Sequence, residues 1–220
     1  MRADDLLRLF ELCLDAEYTH VEDGGSFCLT KEGERLYVIF EKSNGLVDWE
    51  NNLDFAATRH GEADTTEPYR GMGEQWFCHG GFLRVWKSIL PYIEGALLDL
   101  SFREIVCVGY SHGAALCLLC HEYLWYNRHD LHDRIFSFGF GCPRVIRGAV
   151  PKEGERWRGF YVIRNLDDLV THLPPSILGY RHVGKLIEIG KMGEMSRLDA
   201  HREESYLRSL RSLAQNDYIT

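Results

Sequence analysis

The stretch that decides the fold is IVCVGYSHGAALCLLCHEYLWY, residues 105–126. It opens with four apolar residues, 105–108, which predict a buried strand. Gly109-Tyr110-Ser111-His112-Gly113 follows, and residues 114–126 continue with the length and composition of a buried helix. A strand, a short turn and a helix in direct succession place one serine at the turn between them.

The pentapeptide at this turn has the form GxSxG. Its two glycines allow a tight strand-to-helix turn that lifts the Ser111 hydroxyl above the sheet, at the positive end of the following helix. The pattern alone is weak because the chain contains 21 glycines, and an ordinary glycine-rich turn is the alternative. The strand before the turn and the helix after it favour a nucleophilic serine.

Strand and helix patterns alternate along the rest of the chain. Helical periodicity covers residues 6–14, 82–98 and 197–213, and strand patterns cover 26–30, 36–40, 135–140, 160–164 and 183–189. Residues 44–73 are mostly polar and predict a long loop with a short helical piece at 49–53. The alternation predicts an α/β fold with a mostly parallel central sheet and helices on both faces. We expect one domain over residues 1–220.

A serine hydroxyl needs a histidine base, held in the right tautomer by a carboxylate. In a strand–GxSxG–helix architecture both partners follow the serine along the chain. Asp167 and Asp168 come just after the strand at 160–164, at the edge where open α/β sheets keep their sites. His182 and His201 both lie further downstream; His201 follows the last strand whereas His182 precedes it, so placement favours His201.

Six segments, in order along the chain, resemble the class 3 lipases, the fungal-type triacylglycerol lipase family of α/β-hydrolases. The similarity extends over most of residues 36–210. The segments are FEKSNGLVDWENNL at 40–53, HGGF at 79–82, VGYSHGAAL at 108–116, FGFGCPRV at 138–145, NLDDLVTHLPP at 165–175 and YRHVG at 180–184.

The resemblance implies a role for individual residues. Ser111 falls on the family's nucleophile, Asp168 on its triad acid, and His201 on the histidine that precedes an aromatic residue in the last helix. His182 falls on a non-catalytic histidine position, and Asp167 becomes a neighbour of the acid that is solvated or caps a turn.

An oxyanion hole needs two or more donors directed at the developing negative charge. The backbone N–H of His112 supplies one, because it follows the nucleophile. By resemblance, Ser43 supplies the second through its backbone N–H and hydroxyl. The chain departs from the family just before this residue, where Glu41-Lys42 stands in place of an Arg-Gly pair.

Several other features favour structural roles. The imidazole of His112 points away from Ser111 if the turn is tight, so it is more consistent with a pocket wall than with the base. A CxxC at Cys117 and Cys120 lies inside the helix, which favours packing over redox chemistry.

The polar loop contains three apolar residues at helical spacing, Leu46, Trp49 and Leu53. They form either the apolar side of a small lid or an anchor for the loop. The loosely spaced set His121, His129, His132 and Asp133 favours surface solvation over a metal site.

Composition limits the partners and the compartment. The net charge of −8 makes nucleic acid or an anionic membrane surface an unfavourable partner. No apolar run reaches the roughly 20 residues of a membrane span, and the N-terminus lacks the features of a secretory signal. Seven scattered cysteines suit reduced thiols better than a disulfide framework. We therefore expect a soluble cytoplasmic protein with a small ester or lipid as its partner and with no metal or organic cofactor.

These features together predict a serine carboxylic ester hydrolase that acts on lipid or acylglycerol-type esters through an acyl-enzyme on Ser111. A phospholipase or an acyltransferase using the same triad is one alternative. A catalytically silent binding protein is another, although binding alone would give no reason for the set of Ser111, Asp168 and His201. Acyl chain length, head group and oligomeric state stay open at this point.

Overall fold

The computed structural model describes residues 2–21, 25–42, 57–60, 76–97, 101–149 and 153–215. The helices are Ala3–Asp15 (α1), Gly80–Leu97 (α2), His112–Asn127 (α3), Glu153–Arg156 (α4) and Glu203–Gln215 (α5). The strands are Thr19–His20 (β1), Ser26–Glu32 (β2), Arg35–Phe40 (β3), Ala57–His60 (β4), Trp76–His79 (β5), Glu104–Tyr110 (β6), Ile135–Phe140 (β7), Ile146–Arg147 (β8), Phe160–Asn165 (β9), Tyr180–Arg181 (β10) and Lys185–Ile189 (β11).

Among the described residues, the central sheet has seven strands in the order β1-β2-β3-β6-β7-β9-β11. From β3 to β11 every neighbouring pair is parallel, whereas β1 and β2 extend one edge by antiparallel pairing. The five parallel strands follow one another in space as they do in sequence, so their carboxyl ends share one edge of the sheet. The prediction of a mostly parallel sheet is confirmed.

Helices cover both faces of this sheet, as the sequence predicts. Along β3, Leu36, Val38 and Phe40 join the core cluster that contains α2 and α3, whereas Tyr37 and Ile39 join the cluster that contains α1 and α5. This alternation follows from the two-residue period of a strand, which turns successive side chains to opposite faces. Each large apolar side chain buried in this way contributes about 1.5–3 kcal/mol relative to an exposed one.

Helix α3 is buried on nearly all sides. It packs on β6 and β7 and against α2, and every residue from 113 to 124 is buried. A helix enclosed in this way has no polar face, which explains the unbroken apolar run that follows the GxSxG turn. The serine that precedes α3 is therefore carried by one of the best-packed elements of the molecule.

Several details differ from the sequence predictions. The last helix begins at Glu203 rather than at residue 197, because residues 199–201 form a separate 3-10 turn. The last strand begins at Lys185 rather than at residue 183. Residues 57–60, predicted as loop, form β4 in a second, antiparallel sheet of order β10-β8-β5-β4. The helical piece predicted at 49–53 lies outside the described residues.

Within the described ranges, no helix has the length and hydropathy that a bilayer crossing requires.

Candidate active site

The turn between β6 and α3 holds Ser111 in an unusual backbone conformation. Its φ of 56° and ψ of −120° make it the only non-glycine residue with positive φ in the described part of the chain. Such a conformation costs about 1–3 kcal/mol and persists only where the surroundings enforce it. Here the Ser111 N–H donates to the Phe140 carbonyl at 2.9 Å and the Ala114 N–H donates to the Ser111 carbonyl at 3.0 Å.

The two glycines of the GxSxG sequence are required by close backbone contacts. A Cβ on Gly109 would lie 2.1 Å from the carbonyl oxygen of Gly113, and a Cβ on Gly113 would lie 2.3 Å from that of Phe40. No larger residue fits either position without moving β3 or α3. The two glycines therefore allow the start of α3 to contact the ends of two adjacent strands, β6 and β3.

Ser111, His201 and Asp168 form one continuous chain of hydrogen bonds. His201 Nε2 lies 2.8 Å from Ser111 Oγ, and His201 Nδ1 lies 2.7 Å from Asp168 Oδ2. With the carboxylate accepting from Nδ1–H, Nε2 is free to accept the serine proton. The three residues are 6%, 1% and 0% exposed, so these contacts are made with little competition from water.

Asp168 lies just beyond the carboxyl end of β9, and both its carboxylate oxygens accept further hydrogen bonds. Oδ1 accepts from the Val170 N–H at 2.8 Å, and Oδ2 accepts from the Tyr206 hydroxyl at 2.6 Å in addition to His201. Burial, and then the charge of Asp168, raises the pKa of Tyr206, so its hydroxyl stays protonated and donates. These hydrogen bonds compensate the Asp168 carboxylate for the hydration that it loses when it is buried.

His201 belongs to the 3-10 turn at 199–201, and two side chains from other elements fix this turn. The Tyr110 hydroxyl donates to the His201 carbonyl, and the Tyr110 ring stacks on the imidazole with centroids 5.3 Å apart. Asn165 Nδ2 donates to the Ala200 carbonyl at 2.9 Å. Sequence reasoning did not identify Tyr110 and Asn165 as part of the site, although one lies inside the GxSxG motif and the other opens the NLDDL segment.

His182 and Asp167 are not part of this chain of hydrogen bonds. His182 Nε2–H donates to the Thr171 carbonyl at 2.7 Å, and burial lowers the pKa of His182 to about 4. Asp167 Oδ2 accepts from the Gly193 N–H at 2.6 Å and so caps a turn. Of the two histidines left open by the sequence, the structure therefore brings His201 to Ser111.

His112 is the first residue of α3, and its backbone N–H is one of the donors that a helix N-terminus leaves unpaired within the helix. Its ring packs beside Phe82 with centroids 5.5 Å apart. Burial, and then the neighbouring His79, lowers the pKa of His112 to about 4. Ser43, and the lid candidates Leu46, Trp49 and Leu53, lie outside the described residues.

The CxxC cysteines are packed in the core. Cys117 Sγ lies 3.8 Å from the Phe138 carbonyl and Cys120 Sγ lies 3.7 Å from Cys107 Sγ. Burial raises the pKa of both thiols, which disfavours the reactive thiolate. Among the residues that the structure describes, no cluster of three or more His, Cys, Asp or Glu side chains is arranged to hold a metal ion.

Comparison with known proteins identifies a family and several relatives with similar sequences. Residues 37–177 match the family described as Lipase (class 3). A lipase from Rhizomucor miehei is 26% identical over 160 residues, which cover 68% of this chain and 40% of the relative. A secreted mono- and diacylglycerol lipase from Fusarium solani is 26% identical over 187 residues, which cover 77% and 52%. The chain thus spans about half the length of these relatives or less.

Solved structures show the same fold. A triacylglycerol lipase whose catalytic centre is described as a serine protease triad superposes with a TM-score of 0.64 at 20% sequence identity. The superposition covers 80% of this chain and 66% of that one. At this identity the likeness concerns the arrangement of helices and strands, which is the α/β-hydrolase fold that the sequence predicts.

Proposed function

Because this chain belongs to the class 3 lipase family, we propose that it is a serine carboxylic ester hydrolase acting on lipid or acylglycerol-type esters. The observation that supports this most directly is the hydrogen-bonded chain from Ser111 through His201 to Asp168. Its support does not depend on sequence identity, since the three side chains come from three separate regions and meet in one buried place. The names of the two sequence relatives agree with it.

In this proposal His201 removes the Ser111 proton as the hydroxyl attacks the ester carbonyl, and it then protonates the leaving alcohol. The acyl group is left on Ser111, and water activated by the same imidazole releases it. Asp168 holds the Nδ1–H tautomer and stabilises the positive charge that forms on His201. The reaction as proposed uses no metal or organic cofactor.

The developing oxyanion is proposed to accept hydrogen bonds from the His112 N–H and from Ser43. The position of His112 at the start of α3 supports the first assignment, because the helix dipole adds to the local positive potential there. The Ser43 assignment rests on the family resemblance of the segment at 40–53. Removing one oxyanion donor typically lowers kcat by about a hundred- to a thousandfold.

The test of this function is hydrolysis of dissolved short- and medium-chain esters and of acylglycerols by the wild type and by Ser111→Ala. Activity that Ser111→Ala abolishes supports the proposal, and an equally active Ser111→Ala would refute it. Ser137→Ala is the matched control, since Ser137 is also buried and also contacts a histidine, with its Oγ 2.7 Å from His121 Nδ1. This control should keep its activity.

Two further readings of the same assay separate the alternatives. Transfer of the acyl group to an added alcohol in preference to water would indicate an acyltransferase, and cleavage confined to phospholipids would indicate a phospholipase.

Activity on dissolved esters should be appreciable without an oil interface. A rate that rises only above the solubility limit of the substrate would contradict this and would indicate a working lid.

The proposed location is a reducing compartment such as the cytoplasm. All seven cysteines are free thiols, and six of them are buried in the core. A protein with this pattern has no disulfide to lose in a reducing environment.

A further inference from the structure

The segment that leaves β3 is in contact with the turn that carries Ser111. Besides the Phe40 carbonyl, the Glu41 carbonyl lies 2.6 Å from where a Cβ on Gly113 would be placed. On its other side the segment is held by β2, because the Glu41 N–H donates to the Ser26 carbonyl at 3.1 Å. Residues 40 and 41 therefore pack directly on the nucleophile turn, and Lys42 follows them in the chain.

His201 belongs to a different part of the chain. It lies on the segment of residues 190–202 that leads from β11 to α5, and β11 is the edge strand on the opposite side of the sheet from β2. The imidazole must nevertheless stay 2.8 Å from Ser111 Oγ. Contacts that join the start of α5 to the β3 side of the sheet would fix this distance.

One side-chain pair makes such a connection. Lys42 Nζ donates to Glu203 Oε1, joining positions 161 residues apart in the sequence. Glu203 is the first residue of α5 and lies two residues after His201. Its negative charge is favoured there by the helix dipole, so the pair is anchored at a helix N-terminus.

We propose that Lys42 and Glu203 form a positioning ion pair that sets the placement of His201 relative to Ser111. The inference rests on the proposed function, since it assigns the pair a role in that reaction. Neither side chain is proposed to contact the substrate, and both act through His201. The pair also gives a role to Lys42, one of the two residues, Glu41 and Lys42, at which the chain departs from the family sequence.

An ordinary surface ion pair is the alternative, and β3, the strand that precedes Lys42, provides a comparison. Arg35, at the other end of β3, pairs with Glu104 at the start of β6. The side chains are 44% and 29% exposed in this pair and 41% and 29% exposed in the Lys42–Glu203 pair. Ion pairs this exposed contribute little to the free energy of unfolding. If removing the two pairs changes kcat to different extents, the cause must therefore be the location of each pair.

The experiment compares Lys42→Met, Glu203→Gln and their double variant with Arg35→Met and Glu104→Gln. For each, kcat and KM are measured on a dissolved ester, together with the melting temperature and the rate of Ser111 labelling by a fluorophosphonate. We expect kcat and the labelling rate of the first set to fall by about three- to tenfold with KM nearly unchanged, because misalignment of reacting groups lowers the rate steeply. The Arg35 and Glu104 variants should keep the wild-type kcat.

Two internal checks accompany these variants. The double variant should have about the same kcat as the less active of the two single variants, because both substitutions remove the same contact. Lys42→Arg, which keeps the charge, should keep most of the activity. Unchanged kcat in Lys42→Met and Glu203→Gln, or an equal loss in the Arg35 and Glu104 variants, would overturn the positioning role alone. A wild-type protein that neither hydrolyses esters nor reacts with the probe would overturn the proposed function and this inference together.

Discussion

Tyr206 shares one carboxylate oxygen of Asp168 with His201, at 2.6 Å against 2.7 Å for the imidazole. Its own oxygen accepts from the Asn165 N–H at 3.1 Å, so the hydroxyl is oriented toward the carboxylate. A hydrogen bond to a charged group contributes about 1.5–3 kcal/mol. Removing this hydrogen bond would leave the Asp168 carboxylate less firmly oriented, and the orientation of His201 would change with it.

Tyr206→Phe is therefore expected to lower kcat by about tenfold, with a smaller change in KM, measured on a dissolved ester. Tyr123→Phe is the control, since the Tyr123 hydroxyl also donates to a carboxylate, Glu94 Oε1 at 3.2 Å, but on the far part of α3. An equal loss of kcat in both variants would show that the effect of Tyr206 is general and structural.

At the scale of single residues, the strand–GxSxG–helix pattern indicated Ser111 and placement after the last strand favoured His201 over His182. Placement left both Asp167 and Asp168 as the acid, and only the family resemblance selected Asp168. Sequence reasoning did not assign roles to Tyr110 or Asn165. The contact of Tyr110 with His201 joins positions 91 residues apart, and that of Asn165 with Ala200 joins positions 35 apart. Nothing in the local sequence encodes such a pairing, because it depends on how β6, β9 and the 199–201 turn meet.

At the scale of elements, the separation of α3 from β3 is set by Gly113. Gly113→Ala is expected to destabilise the protein by more than about 2 kcal/mol, because the added methyl group overlaps backbone atoms that belong to a strand. Gly95→Ala on α2 is the control: nothing lies within 4 Å of a Cβ there, and alanine favours a helix by about 1 kcal/mol over glycine. Urea unfolding of both variants should show opposite signs, and equal effects would contradict the close approach.

The strands and helices that sequence reasoning identified are those with a clear periodicity over five or more residues. The second sheet was missed because β8 and β10 have two residues each and β4 and β5 have four. Such short strands have no measurable alternation. The start of the last helix was predicted too early for another reason. Residues 199–201 continue the helical periodicity of the sequence, but in the structure they form the separate 3-10 turn that carries His201.

At the scale of the whole molecule, buried histidines should make stability depend on pH. The sequence prediction of a solvated surface position is wrong for His121, which is 2% exposed, with Nε2 2.9 Å from the Arg156 carbonyl and Nδ1 2.7 Å from Ser137 Oγ. This arrangement suits a neutral ring that donates from Nε2 and accepts at Nδ1. Burial lowers the pKa of His121 to about 4, against an ordinary value of 6.5.

The unfolded chain therefore binds a proton at His121 between pH 6.5 and 4 while the folded protein does not. Folded-state stability should be complete above pH 6.5 and should fall as the pH is lowered toward 4, by about 1.4 kcal/mol per pH unit for each such histidine. Urea unfolding at a series of pH values tests this. His121→Gln should reduce the slope, and a slope unchanged by that substitution would contradict the assignment.

The account as a whole claims that Ser111 is activated by His201, and the most direct test is the rate and position of fluorophosphonate labelling. In the wild type, mass spectrometry should locate the adduct on Ser111. Labelling should slow by about a thousandfold in His201→Ala, because without its base the serine stays protonated. His182→Ala, which removes the hydrogen bond to the Thr171 carbonyl and leaves the contacts of Ser111 with His201 in place, should label at the wild-type rate. An adduct on another residue, or a His201→Ala variant that labels as fast as the wild type, would contradict the account.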